Sequence, residues 1–203
     1  MNLPNLLTLS RVPFLFFIAA LLYWSFPFSY SLALVVFVMA GLTDWLDGKI
    51  ARDRDMISVF GQLMDALTDK ILTVGLFITF LAVGLLPDWM VIMVLFILSR
   101  EFLITGLRMV AAAKNRVLPA ERAGKIKTVF QIVSIGALIS ARAGEFDWLP
   151  LTGYDLDWMV STCYFLGLSL FTVATIMTVY SGSYYMIKYG DLYFGSSSTP
   201  DRS

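Results

Sequence analysis

The sequence predicts an all-α integral membrane protein with six transmembrane helices and a polar cleft that faces the cytoplasm. Composition and charge pattern both support this fold class. Of the 203 residues, 58% are hydrophobic and the mean hydropathy is +0.76, which leaves too little polar surface to cover a soluble globule of this length. Lys and Arg are concentrated in the connections between apolar stretches, as is typical of membrane proteins.

The apolar stretches predict the helices. A transmembrane helix needs about 20 consecutive apolar residues, and windows of that size cover 5–26, 31–51, 61–86, 88–113, 121–143 and 158–187. We expect the first window to be a retained span, because a cleavable signal peptide would have a basic start and a shorter apolar core. The Ser-rich end predicts a disordered tail over 190–203, after one membrane domain over 1–189.

The charged residues between the windows predict the orientation. Basic residues follow the second and fourth windows, at Lys49, Arg52, Arg54, Lys114, Arg116, Arg122, Lys125 and Lys127. The first and third turns contain no Lys or Arg, and a predicted loop over 143–157 is mainly acidic. By the positive-inside rule, both termini and the even-numbered connections face the cytoplasm. We therefore expect a multi-pass protein of the inner cell membrane.

Four aspartates lie at the cytoplasmic ends of the second and third windows: Asp44, Asp47, Asp65 and Asp69. An unpaired carboxylate inside a bilayer costs several kcal/mol at the lower estimates. On helices, Asp44 and Asp47 share one face with two small residues, and Gly61, Asp65 and Asp69 form a second stripe. A short connection makes the two helices neighbours, so the stripes could face each other across a cleft.

Carboxylates arranged in this way suit hard divalent cations such as Mg²⁺. Four of them could hold two ions about 4 Å apart, an arrangement that stabilises the entering and leaving oxygens of phosphoryl transfer. The glycines would allow a diphosphate to approach the backbone closely, and Arg52 suits phosphate charge. The alternative is that these are solvated helix-end carboxylates held by Lys49, Arg52 and Lys70, which leaves the shared faces unexplained.

The complete string resembles a family signature. Asp44-x-x-Asp47-Gly48-x-x-Ala51-Arg52, then residues 53–60, then Gly61-x-x-x-Asp65-x-x-x-Asp69, is similar at every defining position to the CDP-alcohol phosphatidyltransferase family. The resemblance implies a six-helix membrane enzyme, usually a homodimer, in which an alcohol displaces CMP from CDP-diacylglycerol. It assigns Asp44, Asp47, Asp65 and Asp69 to two Mg²⁺ or Mn²⁺ ions, with Asp69 also the general base. It places Asp44, Gly48, Ala51, Arg52 and Gly61 around CDP-diacylglycerol.

Three other stretches narrow the acceptor alcohol. Residues 2–11, 100–108 and 124–131 resemble the phosphatidylglycerophosphate synthase branch of the family, whose acceptor is glycerol 3-phosphate. From the residues themselves, polar side chains repeat at helical spacing on the fourth and fifth helices, where such stripes should face the bundle interior or a wet cavity. The predicted glycerol 3-phosphate site consists of Thr105, Arg108, Lys125, Lys127 and Gln131.

Two of the basic residues in the predicted acceptor site have an alternative explanation, and Arg100, which is basic too, is not expected to belong to the site. Lys125 and Lys127 could merely set the topology and extend to the headgroups. Arg100 lies deeper than Arg108 and on another face of the fourth helix, so we expect it to pair internally, with an acidic side chain of another helix.

The predicted function is a divalent-metal-dependent phosphatidyltransferase of phospholipid biosynthesis. It would transfer the phosphatidyl group from CDP-diacylglycerol to glycerol 3-phosphate, giving phosphatidylglycerophosphate and CMP. The alternative within this chemistry is another acceptor, as in cardiolipin synthases or phosphatidylinositol phosphate synthases. A cation transporter is the non-enzyme alternative, but the outer halves of the third and sixth windows are nearly uniformly apolar. A net charge of zero gives no indication of nucleic-acid binding.

Overall fold

The computed structural model describes residues 3–53, 59–113, 122–152 and 156–189. Over these ranges it consists of helices and short connections, without a β-strand. Side chains are described for 11–43, 67–68, 70–111, 126–151 and 156–189. The all-α prediction is confirmed for this part of the chain.

Each predicted window corresponds to one long helix. These are α1 (Leu3–Trp24), α2 (Ser29–Asp53), α3 (Val59–Ala82), α4 (Val91–Ala113), α5 (Arg122–Ala143) and α7 (Asp157–Tyr189), with a short α6 (Leu149–Thr152) between the last two. Among residues with described side chains, three stretches are long and apolar enough to cross a bilayer: Asp88–Ala111, Ile126–Leu151 and Asp157–Tyr189. Shorter apolar helices cover Arg11–Trp24, Ser29–Thr43 and Lys70–Ala82. The protein is therefore a helical membrane protein, and the count of six spans stays a prediction.

Helix α3 ends before its predicted limit at residue 86. Gly84 has a φ of +70°, a left-handed conformation that glycine adopts without steric cost. The N–H of Gly84 donates to the carbonyl of Leu81 at 3.3 Å, and the N–H of Leu85 donates to that of Phe80 at 2.8 Å. These two bonds form a Schellman motif, which satisfies the last carbonyls of the helix and turns the chain toward α4.

The predicted loop over 143–157 is wrong for residues 144–152, where helical structure continues. Helix α5 passes through a π-helical turn, Gly144–Trp148, into α6. Asp147 in this turn is buried, and its Oδ2 accepts hydrogen bonds from the backbone N–H of Ser31 at 2.7 Å and from its hydroxyl at 2.8 Å. Ser31 lies in the first turn of α2, so Asp147 caps the N-terminus of that helix from another element.

The helices pack in two groups, one around α1 and one around α7. Helix α1 packs against α2 and α3, whereas α7 packs against α4 and most extensively against α5. At Gly167 a Cβ atom would lie 2.7 Å from Cγ of Leu138, so α7 and α5 approach each other where a side chain is absent. The Phe77 and Phe171 rings, 4.7 Å apart, join α3 to α7 in the centre. These contacts fix α3, α4 and α5 around α7.

Candidate functional site

Both halves of the aspartate string lie on helices. Asp44 and Asp47 belong to the last turns of α2, and Asp65 and Asp69 to the first half of α3. Their spacing places the members of each pair one turn apart on the same helix. The side chains of 44–66 and of Asp69 lie outside the described residues, so the predicted roles of the aspartates stay predictions.

The same limit applies to the other residues of the string, Gly48, Ala51, Arg52 and Gly61. In the remainder of the chain, where side chains are described, no group of three or more His, Cys, Asp or Glu could hold a metal ion. The four aspartates stay the predicted ligands. Their all-carboxylate donor set suits Mg²⁺ or Mn²⁺, because these hard cations prefer oxygen ligands.

Beyond Asp69 along α3, a cluster of buried and partly buried charges joins three helices. Glu101 of α4 is 6% exposed, and its carboxylate forms ion pairs with three cations. Lys127 of α5 contacts Oε1, Lys70 of α3 lies 3.8 Å from Oε2, and Arg100 lies 3.3 Å from Oε1. Lys70 also donates to the hydroxyl of Thr105, which in turn donates to the backbone carbonyl of Glu101 at 2.7 Å. We call these five residues the Glu101 cluster.

Burial explains why these charges are paired. Lys127 is 3% exposed, and an ammonium group removed from water is stable only when an opposite charge and hydrogen bonds compensate the lost hydration. Glu101 supplies that charge. The structure therefore brings two residues of the predicted acceptor site, Thr105 and Lys127, to the same carboxylate.

Gln131 lies one turn after Lys127 on α5 and is 4% exposed. Residues four apart on a helix are neighbours on one face, so Gln131 shares the face of α5 that carries Lys127. Its Nε2 has no hydrogen-bond partner among the described residues. A buried donor without a partner is uncommon in proteins, and the oxygen of a substrate could accept from it.

Arg100 is held between α4 and α7. Its guanidinium contacts Glu101 and donates to the hydroxyl of Ser181 at 3.0 Å. The neighbouring Gly182 provides the space, since a Cβ atom there would lie 2.7 Å from Cγ of Arg100. The predicted internal pairing of Arg100 is confirmed, but the predicted position of its acidic partner is wrong. That partner, Glu101, lies on the same helix, and the contact with another helix is to the hydroxyl of Ser181.

Arg108 and Lys125 do not belong to the Glu101 cluster as described. Arg108 is exposed, two turns from Glu101 toward the end of α4, and its guanidinium carbon lies 5.8 Å from the centre of the Tyr185 ring. Tyr185 is 1% exposed, and its hydroxyl has no hydrogen-bond partner in the described part of the chain. Lys125 lies in the first turn of α5 with its side chain outside the described residues.

Sequence reasoning missed two residues of this region. In the sequence, Lys70 follows Asp69 directly and suggests only a partner for the aspartates, although a lysine in the middle of an apolar helix already signals a buried partner. Tyr185 lies in an aromatic-rich helix end that gives no signal of its own. Only the packing of α4 on α7 places it beneath Arg108.

Comparisons with known proteins give the same family that the aspartate string resembles. The family model of CDP-alcohol phosphatidyltransferases matches residues 1–180. The CDP-diacylglycerol–glycerol-3-phosphate 3-phosphatidyltransferase of Bacillus subtilis is 35% identical over 199 residues, covering 92% of this chain and 94% of the relative. Proteins of the same name from Rickettsia typhi and Cereibacter sphaeroides are 33% and 28% identical, covering 79% and 92% of this chain and 89% and 95% of the relatives.

Proposed function

The chain belongs to the CDP-alcohol phosphatidyltransferase family, and we propose that it transfers the phosphatidyl group from CDP-diacylglycerol to glycerol 3-phosphate. The products are phosphatidylglycerophosphate and CMP. The observation that carries this proposal is the similarity, over nearly the whole of both chains, to relatives that are named for this reaction. Among the described residues, three cations meet at the single carboxylate of Glu101, and this concentration of positive charge supports an anionic acceptor.

The donor substrate is assigned to the ends of α2 and α3. Asp44, Asp47, Asp65 and Asp69 would hold two Mg²⁺ or Mn²⁺ ions, which when bound neutralise the diphosphate charge. Gly48, Ala51 and Gly61 let the backbone come close to the cytidine diphosphate, and Arg52 pairs with a phosphate oxygen. The acyl chains stay in the bilayer.

The acceptor is assigned to the facing sides of α4 and α5. Lys127 binds the phosphate of glycerol 3-phosphate, and the unpartnered amide of Gln131 donates to one of its oxygens. Thr105, whose hydroxyl donates to the backbone carbonyl of Glu101, belongs to the same proposed site. Arg108, exposed near the end of α4, and Lys125 attract the incoming dianion from the aqueous side.

Asp69 is the proposed general base. The sequence contains no histidine, so a carboxylate is the best candidate to accept a proton near neutral pH. Asp69 accepts the proton of the glycerol 1-hydroxyl while that oxygen attacks the phosphorus that bears diacylglycerol. The bond from this phosphorus to the oxygen of CMP breaks, and CMP leaves with that oxygen. The reaction requires no covalent enzyme intermediate.

The test is a comparison of acceptors. Purified protein and CDP-diacylglycerol would be incubated separately with glycerol 3-phosphate, inositol phosphate, phosphatidylglycerol and serine, and CMP release measured. We expect release with glycerol 3-phosphate alone. Release with phosphatidylglycerol or inositol phosphate instead would place the chain in another branch. No release with any acceptor would contradict the transferase function and favour the transporter alternative.

The cellular setting is part of the proposal. The distribution of Lys and Arg favours the inner membrane of the cell with the active site facing the cytoplasm, where glycerol 3-phosphate is dissolved. A homodimer is proposed from the family resemblance. Chemical cross-linking in native membranes followed by electrophoresis would test it, and a protein that stays monomeric at saturating cross-linker would contradict it.

A further inference from the structure

We propose that Glu101 is a positioning residue for the acceptor, which holds Lys127 and Lys70 as a preformed phosphate-binding pair. The inference rests on the proposed function, because it assigns roles within the glycerol 3-phosphate site. It adds Lys70 to that site and gives Glu101 a function without direct contact with the substrate.

The first step is the convergence of three helices on one carboxylate. Lys70 comes from α3 and Lys127 from α5, and both contact Glu101 of α4. A lysine ammonium sits on a flexible stem with many rotamers, so its position is well defined only where a partner fixes it. Fixing both lysines before the acceptor arrives removes part of the ordering cost of binding.

The second step is that Glu101 is itself held in place. Arg100 contacts its carboxylate from the same helix and is anchored to Ser181 of α7, over the space left by Gly182. Thr105 lies one turn after Glu101 on α4. Its hydroxyl donates to the backbone carbonyl of Glu101 and accepts from the ammonium group of Lys70. Glu101 therefore presents a rigid anion to the two lysines.

The third step is the position of Lys70, which follows Asp69 directly on α3. If Lys70 binds the phosphate and Asp69 accepts the hydroxyl proton, the rigid backbone of α3 links the two groups that act on the two ends of the acceptor. Productive orientation depends on the distance between such groups. Glu101 would then influence both acceptor affinity and the alignment of attack.

Electrostatics and positioning predict opposite effects when the charge of Glu101 is removed. A carboxylate near a phosphate repels it, so neutralisation alone should strengthen acceptor binding. Loss of the anchor for Lys127 and Lys70 should weaken it. The sign of the change in the acceptor KM therefore distinguishes the two roles.

The experiment compares Glu101→Gln with a matched control in the full-length, membrane-reconstituted protein. Asp147→Asn removes a carboxylate buried to a similar degree, 7% against 6% exposed, at the opposite end of the bundle. We expect Glu101→Gln to raise the glycerol 3-phosphate KM on the order of tenfold and to leave the CDP-diacylglycerol KM unchanged. Asp147→Asn should change neither KM. An unchanged or lowered glycerol 3-phosphate KM in Glu101→Gln would overturn the proposal.

A double-mutant cycle shows whether Glu101 acts through the lysines. Glu101→Gln should raise the acceptor KM much less in a Lys127→Met or Lys70→Met background than in the wild type. If Glu101→Gln raises the acceptor KM as much in the lysine variants as in the wild type, Glu101 does not act through the lysines, and the proposal would be overturned. If Glu101→Gln fails to fold, Glu101→Asp tests the proposal instead. The shorter side chain should hold the lysines less well and raise the acceptor KM. An unchanged acceptor KM would overturn the proposal. Wild-type protein inactive with glycerol 3-phosphate would contradict the proposed function instead.

Discussion

Lys127 is the side chain whose removal tests the acceptor site most directly. It is almost fully buried and contacts Glu101, and charge-assisted contacts to phosphate are worth about 1.5–3 kcal/mol. We therefore expect Lys127→Ala to raise the glycerol 3-phosphate KM on the order of 10- to 150-fold, with little change for CDP-diacylglycerol. Steady-state kinetics with each substrate varied in turn measure this.

Arg108 provides the contrasting case for the same measurement. Its side chain is exposed beside Tyr185, where solvent and salt screen its attraction for phosphate. Arg108→Ala should raise the acceptor KM less than Lys127→Ala, and its effect should shrink at high ionic strength. An Arg108 effect larger than that of Lys127 would place the phosphate nearer the end of α4 than we propose.

The aspartates carry a second prediction at the scale of single residues. If Asp44 and Asp65 bind divalent cations, EDTA should abolish CMP release and added Mg²⁺ or Mn²⁺ should restore it. Asp44→Asn and Asp65→Asn should abolish turnover in the same assay. Asp69→Asn should also reduce kcat strongly, because it removes the proposed base. Full activity in excess EDTA would exclude the metal-dependent mechanism.

At the scale of helices, the apolar windows predicted every long element because a span must satisfy its backbone internally. The wrongly predicted loop after α5 shows that apolar windows do not predict contacts between residues of different helices. Glu145 and Asp147 both read as loop residues in sequence, yet Asp147 is buried against Ser31 of α2. Likewise, helical spacing predicted a polar face on the fourth helix but could not identify Lys70 as the partner of Glu101. Both pairings depend on how distant helices pack.

The cap of α2 by Asp147 makes an element-scale prediction. Asp147→Ala removes the acceptor for the backbone N–H and the hydroxyl of Ser31, so it should destabilise the protein by about 1–3 kcal/mol. Glu145→Ala is the control, since Glu145 is half exposed and makes a surface ion pair with Arg142 that contributes little. Thermal unfolding in detergent should show a lower midpoint for Asp147→Ala only. Equal midpoints would mean that the cap does not stabilise α2.

At the scale of the whole molecule, successive helices run in alternating directions, and this alternation places all parts of the proposed site at one end of the bundle. The end of α2, the start of α3, the end of α4 and the start of α5 carry the aspartates and the acceptor residues. Contacts at the opposite end agree with this alternation. Asp147 after α5 meets Ser31 at the start of α2, and Arg142 donates to the carbonyl of Val83 after α3 at 3.2 Å. A lipid donor and a water-soluble acceptor can therefore meet at a single membrane surface.

The same alternation predicts which surface that is. After replacement of the single Cys163, a cysteine introduced as Asp53→Cys at the end of α2 should react with a membrane-impermeant thiol reagent only from the cytoplasmic side, because Lys and Arg are concentrated there. Asn115→Cys, outside the described residues, should behave in the same way. For the opposite surface, Glu145→Cys is the suitable probe, because the neighbouring Asp147 is buried. Labelling of positions 53 and 145 from the same side would contradict the alternation, and the aspartates and the acceptor residues would then no longer share one membrane surface.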